Sequence, residues 1–85
     1  MDKFDWILEI KSVSVDLHNM ELWEAKRCMD FIIEHLEKDV KEVVVIHGYH
    51  SGDKLATWIR KSYKNKKIKQ KLVCSNNGIT KLCVA

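Results

Sequence analysis

Two of the chain's four histidines close short apolar runs, Val15-Asp16-Leu17-His18 and Ile46-His47-Gly48-Tyr49-His50-Ser51-Gly52. On a strand, Asp16 and His18 share one face, because side chains two apart point the same way. A carboxylate beside an imidazole fixes its tautomer and raises its basicity, the pairing expected of a general base or acid. If His47 ends a neighbouring strand, two imidazoles can face one phosphate. One would take a proton from the nucleophile, and His47 or His50 would protonate the leaving oxygen. Gly48 and Gly52 let backbone amides approach an anion where the next helix begins, with Tyr49, Ser51 and Lys54 alongside. The same side chains have a competing use, since His47, His50, His18 and Asp16 form a candidate set for zinc or manganese. No His-Glu-x-x-His helix or cysteine pair accompanies that set. His35, between Glu34 and Glu37, reads as a surface side chain.

The elements that must position these groups are readable from periodicity. Val13, Val15 and Leu17 alternate with Ser12, Ser14 and Asp16, a strand pattern. Leu22, Ala25, Met29, Ile32 and Leu36 recur at helical steps, with Glu21 and Glu24 in the first turn and Lys38 closing the helix. Val43 to Ile46 is uninterrupted apolar sequence, which predicts a strand covered on both faces. A second helix spans about 53–64, with Leu55, Ile59 and Ser62 or Tyr63 inward, Trp58 off that stripe, and Ser51 or Asp53 as the cap. Ile68 to Cys74 and Ile79 to Val84 are further strands. Asn76-Asn77-Gly78 between them is a hairpin signal, read here as residues that accept positive φ. The order β-α-β-α-β-β predicts a two-layer α/β sandwich with a mixed four-stranded sheet and two helices. A strand returning through a crossover helix runs parallel to the first, so both histidine-bearing ends would lie on one edge. Residues 1–12 form a lead-in of undecided structure, apolar-rich from Phe4 to Ile10, and residues 13–85 form one domain.

Charge is unevenly divided along the 85 residues. Residues 1–42 hold six basic and eleven acidic side chains, whereas residues 43–85 hold nine basic and one acidic, giving the net +3. Seven of the basic groups fall within Arg60 to Lys71, including Arg60, Lys61, Lys64, Lys66 and Lys67. Such a cluster is the electrostatic footprint of a polyanion site, and its plainer reading is a solvated helix end and a guarded edge strand. Three cysteines, an odd number without metal-ligand spacing, predict buried reduced thiols in a cytoplasmic protein. No apolar stretch is long enough to span a bilayer, and the first residues lack the pattern of a signal peptide. A membrane partner is not expected.

Taken together, three short signatures resemble the Smr (small MutS-related) domain over about residues 13–84. The family's apolar strand ending in L-D-L-H-G, followed by E-A in a helix, is similar to Val15-Asp16-Leu17-His18-Asn19 and Glu24-Ala25. Its H-G-x-G-x-G turn is similar to His47-Gly48-Tyr49-His50-Ser51-Gly52, and its N-x-G-x-T-x-L ending to Asn76-Asn77-Gly78-Ile79-Thr80-Lys81-Leu82. Asn19 stands where the family has glycine, and His50 replaces the middle glycine. The resemblance implies a fold similar to the C-terminal domain of bacterial translation initiation factor three. It also implies binding to RNA or DNA, endonuclease cleavage in several members, and work on a ribosome or repair assembly. Activity in the family is tied to the positions of Asp16, His18, His47, Gly48 and Gly52. It fixes no cofactor, with a divalent metal such as magnesium or manganese as the open option. A non-catalytic binding module, gripping phosphates through Arg60 to Lys71 and stacking Trp58, Tyr63 or Tyr49 on bases, is the alternative.

Overall fold

Alternation at Val13, Val15 and Leu17 produces β1 (Lys11–Asp16), which opens the part of the chain that the computed structural model describes, residues 11–48 and 53–84. Helix α1 (Leu22–Glu34) follows, then β2 (Val40–Ile46). Next comes α2 (Asp53–Thr57), which continues into a π-helical turn at Trp58–Ser62. Strands β3 (Ile68–Val73) and β4 (Ile79–Val84) complete the fold. The sheet order is β1-β2-β4-β3, with β1 and β2 parallel and the other pairings antiparallel. The expected mixed α/β sheet with two helices is therefore present. No helix among the described residues is long and apolar enough to cross a membrane.

Both helices pack on one face of the sheet. Val15, Leu17, Val43, Val45, Leu82 and Val84 meet Ala25, Met29 and Ile33 of α1 and Leu55, Ile59 and Tyr63 of the second helical segment. Burying each such aliphatic side chain contributes about 1.5–3 kcal/mol, so this single layer of contacts dominates stability. The other face is not covered as Val43 to Ile46 suggested. Val44 and Ile46 are only half-buried, because alternation sends them away from the helices.

Local features depart from expectation for identifiable reasons. In α1 the inward stripe runs Ala25, Met29, Ile33, while Leu22 is 41 % exposed. Glu24 accepts the backbone N–H of Glu21 at 3.1 Å, joining the helix start. Lys38 does not close the helix, which ends at Glu34 with His35 as its cap. Its last turn holds no basic residue, and Lys67 from the far side donates to the Ile33 carbonyl at 3.2 Å instead. His35 is exposed and stacks on Phe31, with ring centroids 4.2 Å apart. Tyr63 takes the inward place offered to Ser62 or Tyr63, and its hydroxyl donates to Asp30 at 2.7 Å. The β3–β4 turn uses no positive φ: among the described residues only Asn19 and Gly48 have one. The Asn76 side chain holds the turn by accepting the Gly78 N–H at 2.9 Å. The cysteines are unpaired and half-buried rather than fully buried.

Candidate functional site

Parallel pairing sets Asp16 against Ile46, and the Leu17 N–H donates to the Ile46 carbonyl at 2.7 Å. Two residues beyond that pair, His18 and Gly48 therefore meet at the carboxyl edge of the sheet. A Cβ added at Gly48 would lie 3.5 Å from the His18 Cβ. Gly48 has φ +76° and Asn19 has φ 66°, so both chains turn away from the edge through left-handed residues. Asparagine tolerates this region without a glycine.

His18 is the exposed imidazole of the pair. Asp16 Oδ1 accepts its backbone N–H at 3.1 Å and its ring Nδ1 at 2.5 Å. A carboxylate can only accept, so Nδ1 carries a proton, and in the neutral ring Nε2 presents a lone pair. Among the described residues Nε2 has no partner. The His18 side-chain bond, followed by the backbone bond, holds the Asp16 carboxyl below its ordinary range, so the orienting charge persists into acid.

His47 is placed differently. Only 1 % of it is exposed, because alternation along Val43, Val45 and His47 turns it toward the helices. Its Nδ1 donates to the Gly48 carbonyl at 2.9 Å, and its Nε2 lies 3.0 Å from Thr80 Oγ1. With Nδ1 as the donor, a neutral ring has its Nε2 lone pair placed to accept the Thr80 hydroxyl. Thr80 in turn accepts from Arg60 Nε at 2.8 Å. The backbone N–H groups of His47 and Gly48 both reach the Gly78 carbonyl, at 2.9 and 3.1 Å. A continuous polar chain from Arg60 through Thr80 and His47 thus fixes the start of the glycine loop. The expected arrangement of two imidazoles facing one phosphate is not what the described residues adopt. His18 faces outward and His47 inward.

The basic cluster also divides. Arg60 anchors Thr80, with Nη2 within 3.5 Å of the Ile79 carbonyl and 3.4 Å of the Asn77 carbonyl. Lys71 donates to the Tyr63 and Arg60 carbonyls at 2.5 and 3.4 Å, closing the end of the second helical segment. Burial, with Lys64 nearby, lowers its pKa. Lys66 and Lys67 line a hollow with Lys69, Glu37 and Val84 at the opposite end of the sheet, away from His18. Lys61, on the π-helical turn, and Lys64, beyond its end, are exposed. Lys54, also exposed, shares a cleft of about 390 Å³ with Asn19, the residue after His18, and with Met20, Glu21 and Trp23. Tyr63 is buried and cannot stack on a base. Tyr49, His50, Ser51 and Gly52 lie outside the described residues, as does the side chain of Asp53.

Sequence reasoning left Thr80 without a role and gave Gly78 only that of a hairpin turn, whereas both hold His47 in place. Their signal was the N-x-G-x-T spacing itself. Among the described residues no three His, Cys, Asp or Glu side chains converge as metal ligands. Asp16 and His18 are bonded to each other, and His47 is turned away, so these three do not fit a shared divalent ion. Compared with known proteins, the chain matches no family model, no curated protein and no solved structure.

Proposed function

We propose that this chain is a nucleic-acid-binding domain of the Smr type that cleaves phosphodiester bonds in RNA or DNA. The observation that carries the reading is the exposed Asp16–His18 pair beside Gly48, at the carboxyl edge of two parallel strands. That edge is where open α/β sheets hold ligands. In RNA, the 2′-hydroxyl attacks the phosphorus and its proton passes to His18 Nε2. The P–O5′ bond breaks, leaving a cyclic phosphate and a 5′-hydroxyl after the departing oxygen is protonated. Asp16 holds the ring and stabilises the imidazolium that forms. Lys54 lowers the charge on the pentacoordinate phosphorus, and Gly48 leaves room for close approach of the backbone. His47 acts by positioning the loop, and His50 keeps the proton-donor role of the sequence reading.

A second reading, binding without cleavage, is favoured by one observation: His47 is sealed inside a hydrogen-bond chain, so the described residues offer one accessible imidazole at this edge. End-labelled RNA and DNA strands, incubated with the protein in magnesium, manganese or EDTA, separate the two. Cleavage that falls about 100-fold or more in His18→Ala, with binding kept, supports the enzyme. Bound strands that stay whole in every condition leave the binding module. Absence of salt-sensitive binding to either polymer removes both readings.

A further inference from the structure

We propose that the groove beside His18 takes an unpaired nucleobase, so that the substrate is a single-stranded or looped segment and not regular duplex. This rests on the nucleic-acid reading above and names its substrate class. Asn19, the residue after His18, opens a cleft whose walls include Met20, Glu21, Trp23 and Lys54. A second hollow shares Leu22 and Lys54 with the first and adds Thr57 and Trp58. Through these shared residues the two hollows adjoin, between the start of α1 and the second helical segment. Each hollow is about 400 Å³ or slightly less, in the range of sites for small organic ligands.

Three features of the groove select a base. Trp23 is 64 % exposed although it stands in the first turn of α1, where a small or polar residue would serve the helix as well. Indole faces accept any base by stacking, and Trp58, half-buried against the core, offers a second flat surface. Charge selects the side on which the phosphate backbone of the bound strand lies. Lys54 attracts phosphate on one wall, whereas the Glu21 carboxylate repels phosphate and accepts amino N–H groups of a base. The backbone therefore runs on the Lys54 side, toward His18, and the base turns toward Trp23. Base faces in a duplex are already stacked on each other and cannot enter such a groove without being pulled out.

Fluorescence anisotropy with a short labelled single strand, a hairpin and a blunt duplex tests the assignment. The intact chain is expected to bind single strand and hairpin about tenfold or more tightly than duplex. Trp23→Ala is expected to weaken single-strand binding about 5- to 100-fold, down to the duplex level, with Trp23→Phe retaining most of it. Because Trp23 is exposed, its melting temperature should be unchanged, so lost affinity reports the groove. Equal affinity for duplex, or a Trp23→Ala chain that keeps the preference, overturns the inference. His18→Ala separates the two proposals. It should abolish cleavage and leave the single-strand preference untouched, so failure to cleave with Trp23-dependent binding removes the catalytic reading alone. No binding to any strand removes both.

Discussion

Two imidazoles stand at the ends of paired strands, one residue out of step, and experience opposite surroundings. His18 is exposed, oriented by a carboxylate, with its second nitrogen free among the described residues. His47 is buried, with one nitrogen on the Gly48 carbonyl and the other on Thr80. The same side chain is thus available for proton transfer at one strand end and committed to structure at the other. The difference comes from phase: in a parallel pair, residues of equal phase share a face, and Leu17 sits where His47 sits.

The largest expected effect separates these roles by stability. His47→Ala removes a buried ring and leaves the Thr80 hydroxyl without its acceptor, for a cost of about 2–4 kcal/mol. Thermal melts should drop by ~10 °C or more, given ~4–8 °C per kcal/mol for a domain this size. His18→Ala at an exposed position should change stability by less than about 0.5 kcal/mol. Equal losses for both variants would erase the distinction.

A smaller effect is expected at the turn between the two rings. Gly48→Ala places a Cβ at ordinary contact distance from His18, so space is available, but the left-handed φ remains. The strain should cost about 1–2 kcal/mol in chemical denaturation. An unchanged midpoint would mean that the loop does not hold this conformation.

An effect of similar size lies on the side away from the edge and serves as a control. Tyr63→Phe removes the bond to Asp30, for about 1–2 kcal/mol at neutral pH. Burial, then the Asp30 bond, raises the Tyr63 pKa well above 10.0. The phenol is held neutral in the fold but ionises near its ordinary value when unfolded. Its contribution is therefore complete below about pH 10 and declines above it. Melts of the intact chain from pH 9 to 11 should fall more steeply than those of Tyr63→Phe. Parallel curves would contradict this.

Much of this arrangement was legible before any coordinates. The alternation Val13-Ser14-Val15-Asp16-Leu17-His18 states which face Asp16 and His18 occupy. The β-α-β order states that both histidine-bearing ends share an edge. The phase of β2 was hidden, because Val43-Val44-Val45-Ile46 is apolar at every position and carries no alternation to read. Only pairing with β1 decides that Val43, Val45 and His47 point toward the helices. The fate of the lysines was equally hidden. A basic residue beside a polyanion and one capping a helix carbonyl have the same letter, and Lys67 and Lys71 do the latter. Trp23 escaped notice because a large apolar residue in a first helical turn reads as core, and only its exposure sets it apart.

The central claim, one imidazole free and one committed, is tested most directly by long-range ¹H–¹⁵N correlation of the histidine rings during titration with a single-stranded oligonucleotide. The account predicts a neutral His47 protonated on Nδ1 whose ring signals stay in place, and His18 ring signals that move as the strand binds. A His47 ring that shifts with the oligonucleotide while His18 stays silent would contradict it.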